Sequence, residues 1–313
     1  MNQQDENWSE YWENEGADGE VFVNKEGGRH PFLAEYWQQQ FAALHPNAKV
    51  LDMAAGAGSI FSDLPDDHGF ELHAADISSQ ALELLRQRIH TTTTHVCPAT
   101  NVPLADASFD FVVSQFGIEY AGIGAFIEAS RLVKVGGSLS LLCHKRNGYI
   151  DGRNQKMLDS AQIAKYSNFV ADATALITAA YDPQAAKEQT GTDQGIEKIQ
   201  ANFNGSRKTL ENSIKSSPEG VHAHLYFGFK QLFDRRQAYD LIDITHWLEN
   251  MSAEIDRNIM RLTEMCEAAL SQADVMRITL KLSEHGFVDI NDQPVMLPEQ
   301  ELPVAWAITA TKA

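Results

Sequence analysis

With 313 residues, the chain is long enough for one generous α/β domain carrying an embellishment, or for two small domains, and 43% of it is hydrophobic, as in soluble globular proteins. Asp and Glu number 43 against 25 Lys and Arg, a formal net charge of −18 that repels phosphate backbones and anionic membrane surfaces, so nucleic acid is not an expected partner. The N-terminus carries Asp5, Glu6, Glu10, Glu13 and Glu15 with no early Lys or Arg, no apolar run is long enough to span a bilayer, and Cys97, Cys143 and Cys266 form no CxxC pair. The expectation is a cytoplasmic protein with reduced thiols and no secretory signal.

In chain order, Trp8 with Tyr11 or Trp12 stands at helical spacing in an otherwise polar, acidic segment of residues 1–30. After Gly27-Gly28, Pro31 can open a helix through about Leu44, with Phe32, Leu33, Tyr36, Trp37, Phe41 and Leu44 as its apolar face. Val50-Leu51 reads as a buried strand that ends on Asp52 and breaks into Ala54, Gly56 and Gly58. The pattern Ile60, Phe61, Leu64 then predicts a helix start. Strand, tight glycine turn and helix are the first unit of a nucleotide-binding sheet, glycine serving where backbone must turn sharply and leave room for a ligand. A second strand, 71–76, brings Asp76 to its C-terminal end eighteen positions past Gly58, where a carboxylate can accept from both ribose hydroxyls; a plain helix cap is the other reading. Ile77 follows at the rim, and Ser78 or Ser79 can cap the next helix, with Ala81, Leu82, Leu84 and Leu85 buried.

A third strand is expected around His95-Val96-Cys97, and a fourth, apolar on both faces, over 109–114. Gln115, Phe116, Glu119 and Tyr120 lie just past the fourth strand, on the edge that carries the ligand crevice in open α/β sheets. A helix from about Gly124 to Lys134 precedes Gly136-Gly137, and a fifth strand runs through Leu139, Leu141 and Leu142 to Cys143-His144. Residues 145 to about 255 fit no minimal α/β fold. Their moderate helical periodicity is punctuated by Gly191, Gly195, Gly205 and Pro218-Glu219-Gly220, with an aromatic knot at Phe227, Phe229, Leu232 and Phe233. One or two long helices over Ile244–Leu270, a final helix stopping at His285-Gly286, and strands 287–296 and 304–311 close the sheet.

The runs V-L-D-M-A-A-G-A-G, A-A-D-I-S, V-P-L-A-D-A-S-F-D-F-V-V-S-Q-F-G and R-L-V-K-V-G-G-S-L-S-L-L resemble the class I S-adenosylmethionine-dependent methyltransferases, and within them the branch containing the quinone-biosynthesis enzymes. The resemblance covers residues 30–145 and, more weakly, the last thirty. It implies a Rossmann-like, seven-stranded, mostly parallel sheet with helices on both faces and an antiparallel strand near its end. Residues 31–145 and 256–313 then form the methyltransferase domain, 1–30 a lid-like segment, and 146–255 a helical insertion acting as a substrate cap. It further implies S-adenosylmethionine as cofactor and S-adenosylhomocysteine as product. Asp52, Ala54, Gly56 and Gly58 line the methionine end, Asp76 the ribose, Ile77 and Ala99 the adenine, with Gln115 at the same edge. The family's adenine-binding acid falls on Pro98, so adenine recognition is expected from the backbone of Ala99 and from Thr100 or Asn101.

A dinucleotide enzyme is the rival for such a loop, but its third glycine would fall on Phe61, too large for close helix packing, and Asp52 would lie close to a pyrophosphate. The expected acceptor is a small molecule, with a protein acceptor or a cofactor-binding protein without turnover as alternatives, and a homodimer is left open. Methyl transfer from a sulfonium needs a base only when the nucleophile arrives protonated. His144, ending the fifth strand on the ligand edge, is the first candidate base, with Glu119 and Tyr120 as orienting or proton-accepting groups. Each can equally be structural. His222 and His224, two apart, lack the i,i+4 spacing of a metal-binding helix, and no metal is expected.

Overall fold

Val50 and Leu51 sit in the centre of the sheet because the strand that carries them is flanked on both sides. β1 (Lys49–Met53) pairs in parallel with β2 (Glu71–Asp76), Leu51 opposite His73, and with β4 (Phe109–Gln115), Leu51 opposite Val112. The computed structural model describes residues 30–65, 67–182 and 193–313; the expected N-terminal helix and lid, and Gly191, lie outside these. β3 (Thr93–Val96) extends the sheet beyond β2, and β5 (Val133–His144) extends it beyond β4. β7 (Ala305–Lys312) runs antiparallel to both β5 and the edge strand β6 (Phe287–Val295). The order β3-β2-β1-β4-β5-β7-β6 gives the expected mostly parallel sheet of seven strands. The chain leaves β1 toward β2 and β3 and returns on the other side as β4, so the topological switch lies between β1 and β4.

Both faces are covered, which is why the central strands are apolar on alternate and intervening positions alike. α1 (Pro31–Ala42) and α2 (Ser79–Arg88) bury Leu33, Trp37, Phe41, Leu82 and Leu85 on one face. α3 (Ile123–Leu132) and the C-terminal helix, Gln272–Glu284, bury Phe126, Leu132, Val275, Ile278 and Leu282 on the other. Pro31 opens α1 as expected, and Ser78 rather than Ser79 caps α2, accepting from Ala81 N at 3.2 Å. Two expectations shift. The helix predicted after Gly58 is a short 3₁₀ turn, Ser59–Asp63, because Leu64 precedes Pro65 and is held extended, with ψ at 135°. The helix expected to reach Lys134 stops at Leu132, and β5 begins at Val133, where β-branched Val133 and Val135 favour the sheet.

The described residues divide into two compact units, one comprising those up to Gly152 together with Glu267–Ala313, the other Arg153–Cys266. Among the described residues, the helices α4 (Tyr149–Tyr166), α5 (Phe169–Tyr181), α6 (Asp193–Ser216) and α7 (Val221–Asp234) precede α8 (Leu241–Ala268), a single helix where one or two were expected; the C-terminal helix is α9. The core of the second unit gathers Phe169, Ile177, Leu210, Leu225, Phe229, Leu248, Met251 and Ile255. Pro218-Glu219-Gly220 does separate two helices. Gly195 and Gly205, read as breaks, instead lie inside α6, where tertiary packing of Leu210 and Phe203 outweighs a local cost of about 1 kcal/mol per glycine. In the aromatic knot, Phe229 is buried against Phe169 and Phe203, whereas Phe227 faces out. No helix among the described residues is long and apolar enough to cross a membrane.

Gly228 of α7 lies against the Trp247 ring of α8; a Cβ there would stand 2.5 Å from Cζ2. Gly228→Ala adds the better helix former yet overpacks this contact, so the expected result is a loss of about 1–3 kcal/mol. Urea unfolding checks it, and a midpoint at or above that of the wild type would contradict it.

Candidate functional site

The exits of β1 and β4 are fastened to each other. Ser114 Oγ donates to the Met53 carbonyl at 2.6 Å and accepts from Ile118 N at 3.1 Å. Gly117 then lies so close to Ala54 that a Cβ would stand 2.6 Å from its carbonyl oxygen, and Ala54 and Phe116 both adopt positive φ, 54° and 52°, to make the approach. Gly58 is needed twice over, for its φ of 81° and because a Cβ would meet Leu85 Cγ at 2.6 Å. Gly56, at φ 52°, turns its N–H onto Asp76 Oδ2 at 2.8 Å, while Asp76 Oδ1 accepts from Ser78 N at 2.8 Å. The acid at the end of β2 therefore shapes the glycine turn directly and caps α2's entry as well. Burial outweighs these bonds and raises the Asp76 pKa above the usual carboxylate range.

Asp52 is the unusual member. It is 1% exposed, and neither carboxylate oxygen has a hydrogen-bond partner. Burial, with the Asp76 charge as a second cause, pushes its pKa well above the usual value. A sealed carboxylate without donors is costly unless a cationic or donating group completes it.

The other expected binding residues are distributed along the same edge. Ile77 is half-buried beyond Asp76; Ala99 is half-buried on the core, and Thr100 and Asn101 are exposed in a turn where Asn101 N donates to the Pro98 carbonyl at 3.0 Å. The Gln115 amide is committed elsewhere, accepting from Trp37 Nε1 at 2.6 Å and donating to Ser59 Oγ at 2.9 Å, so it ties α1 to the glycine turn. Glu119 and His144 are brought together. Glu119 Oε1 accepts from His144 N at 2.7 Å and from His144 Nδ1 at 2.8 Å, with Tyr120's ring edge-on to the imidazole at 5.9 Å. The structure also reveals positions the sequence reading left out: Ser114, Gly117, and the Glu128–Arg131 pair. Arg131 donates to the Val102 and Leu104 carbonyls at 3.0 and 2.8 Å and, with Glu128 accepting from Val102 N at 2.7 Å, fixes the loop leading out of Asn101. A glycine shortly after a central parallel strand was the available signal for Gly117. Among the described residues, no group of three His, Cys, Asp or Glu is placed to hold a metal ion.

Residues 51–141 match a family model described as a methyltransferase domain. The chain is 33% identical over 96 residues to a demethylmenaquinone methyltransferase of Beutenbergia cavernae, covering 30% of this chain and 40% of that protein. It is 32% identical over 124 residues to a ubiquinone/menaquinone biosynthesis C-methyltransferase of Ralstonia nicotianae, covering 37% and 51%. The chain thus spans about half or less of the curated relatives it matches. Among solved structures it is similar to a SAM-dependent methyltransferase of Thermotoga maritima, with 14% identity, 91% of each chain covered and a TM-score of 0.43. It is also similar to the geranyl diphosphate C-methyltransferase of Streptomyces coelicolor A3(2), with 16% identity, 47% and 66% covered and a TM-score of 0.38.

The raised Asp52 pKa has a sign that can be tested. A carboxyl whose folded pKa exceeds its unfolded value of about 3.9 adds stability at low pH and loses it as pH rises through the folded value. Asp52→Asn removes this loss, so its melting temperature should gain on the wild type between pH 5 and pH 8 by at least about 2–4 °C, the equivalent of 1 kcal/mol in a unit of this size. A gap that does not change with pH would show that folding does not raise the Asp52 pKa into this range.

Proposed function

We propose that this chain, whose residues 51–141 match a family model described as a methyltransferase domain, is a class I methyltransferase that transfers a methyl group from S-adenosylmethionine to a small-molecule acceptor. The observation that carries the reading is Asp52, a sealed carboxylate with no donor of its own, beside a glycine turn built by Asp76. An ammonium is the chemical complement of that acid, and the methionine end of the cofactor bears one. Asp76 retains lone pairs beyond the two it gives to Gly56 N and Ser78 N, enough to accept from ribose hydroxyls. Ile77, Ala99 and the backbone of the 98–101 turn are the apolar and hydrogen-bonding surface assigned to adenine, with Pro98 supplying no acid. Ala54, Gly56 and Gly58 keep side chains out of the approach, and Gln115 acts by fixing the turn.

When bound, the cofactor supplies an activated methyl on a sulfonium. What remains for the protein is to hold an acceptor atom about 3 Å from that methyl and exclude water. The small-molecule acceptor is supported by the similarity to a demethylmenaquinone methyltransferase and a ubiquinone/menaquinone biosynthesis C-methyltransferase. Acceptor selection is assigned to the helical unit Arg153–Cys266 because it interrupts the sequence just after β5. The acidic composition and scattered cysteines fit a cytosolic reaction on a dissolved acceptor.

Calorimetric titration of the whole chain with S-adenosylmethionine and S-adenosylhomocysteine tests the reading. Micromolar binding of both is expected, and Asp76→Ala should weaken each at least about tenfold, a loss of roughly 1.4 kcal/mol or more. Absence of binding, or full affinity in Asp76→Ala, would overturn it.

A further inference from the structure

Gln115 ends β4 with an amide that is used on both sides. Its Oε1 accepts from Trp37 Nε1 of α1 at 2.6 Å, and its Nε2 donates to Ser59 Oγ at 2.9 Å. Trp37 is 1% exposed, and an indole N–H can only donate. That donor settles the amide's orientation: the oxygen turns to Trp37, which leaves the NH2 group for Ser59. With the indole N–H removed, the amide is free to rotate half a turn and offer Ser59 its oxygen instead. The bond that reaches Ser59 is therefore oriented by a side chain two hydrogen bonds away from it, on another element.

Ser59 sits where such control tells. It follows Gly58, at φ 81°, and opens the 3₁₀ turn Ser59–Asp63, while Ala54 and Gly56 before it also hold positive φ. Backbone of this kind is held only where its neighbours over-determine it. α1 reaches the stretch from the sheet face at two points. One is the Trp37–Gln115–Ser59 chain; the other is Phe41, whose ring meets that of Phe61 edge-on at 6.4 Å. Another side-chain bond from the same helix, Tyr36 Oη with Ser140 Oγ at 2.8 Å, lands on β5, two strands away from β1.

We infer that Trp37 is a positioning residue for the glycine turn: acting through Gln115, it sets the place of Ser59 and so the affinity of the turn for its ligand. The identity of that ligand rests on the methyltransferase reading above; the control of the turn by α1 does not. Coupling of this kind is reciprocal. Whatever displaces α1 weakens the bound cofactor, and bound cofactor holds α1 against the sheet. Regulation of the site therefore enters from a helix that precedes the nucleotide-binding unit in the chain and is packed on the face of the sheet, away from the strand ends that carry the ligand.

Three variants of the whole chain test this. Trp37→Phe keeps a buried ring and removes the N–H, Gln115→Met removes both bonds at similar volume, and Tyr36→Phe removes the α1 bond to β5 as a control. Hydrogen exchange is read by mass spectrometry over residues 54–63 without added ligand, relative to the β4 and β5 amides, so that a general loss of stability does not register. Exchange there should rise about fivefold in Trp37→Phe and Gln115→Met, the scale of one lost hydrogen bond, and stay unchanged in Tyr36→Phe. Trp37→Phe should add nothing in the Gln115→Met background, because the amide is the route. In calorimetry, S-adenosylhomocysteine should bind about fivefold more weakly to the first two variants and at wild-type affinity to the control. Unchanged exchange in Trp37→Phe, an equal effect of Tyr36→Phe, or additive effects of Trp37→Phe and Gln115→Met would each overturn the role given to Trp37. A wild type that binds no S-adenosylhomocysteine would sink the cofactor reading alone, and the exchange measurement would still decide the role of Trp37.

Discussion

The fastening of β1 to β4 is the constraint on which the site depends. The sheet parts its connections there, and beyond the last paired residues, Asp52 and Val113, one hydroxyl, Ser114 Oγ, bridges the two exits by donating to the Met53 carbonyl while it accepts from Ile118 N in its own exit. That clamp draws Gly117 against Ala54 and forces two non-glycine residues, Ala54 and Phe116, into positive φ. Strained backbone of this kind persists only where surrounding contacts over-determine it, and it concentrates at binding sites. Once the exits are locked, Asp52, the glycine turn and Glu119 are held on one short stretch of sheet edge. The parallel register then places Asp76 and His144 at the flanking strand ends.

The electrostatics of that edge follow from the same geometry. Asp52 and Asp76 are both buried, the Asp76 charge adds to the cost of ionising Asp52, and backbone N–H groups stabilise the charged form only at Asp76. This asymmetry divides their roles. A carboxylate already accepting from two amides is suited to hydroxyl partners, whereas one with no donor is suited to a full positive charge. Under the proposed function, the cost of burying Asp52 without a donor would be offset by a bound cation.

The parts of this arrangement legible in the sequence are those encoded by neighbours in the chain. Val50-Leu51-Asp52 followed by Gly56 and Gly58, and Asp76 at the end of an apolar run, declare a strand, its turn and the acid that pairs with the turn. The 3.6-residue spacing in Ile244–Leu270 likewise declares a helix, and the resemblance supplied the number of strands and the antiparallel one near the end. What the sequence did not declare are consequences of register. Ser114 reads as one more strand residue until β4 is laid beside β1, and Gln115 reads as a ligand contact until Trp37 and Ser59 are found on its amide. Gly195 and Gly205 read as breaks because local propensity speaks against helix, and the buried stripe of α6 overrides it.

The turn at Pro98, where the resemblance led to the expectation of a missing acid, keeps its shape through contacts from elsewhere in the chain. No side chain at position 98 is needed to hold the turn. That work falls to Arg131 of α3, whose guanidinium reaches the Val102 and Leu104 carbonyls while Glu128 takes the Val102 N–H. The Glu128 carboxyl is in turn held below its usual pKa range chiefly by its bond from Arg131, so the pair stays charged and the loop stays pinned from behind. Proline at position 98 is compatible with this because the turn asks only for its carbonyl, which accepts from Asn101 N. The loop's backbone groups are therefore fixed by a helix on the far side of the sheet edge, and specificity there can rest on main-chain donors and acceptors that a side-chain substitution does not remove.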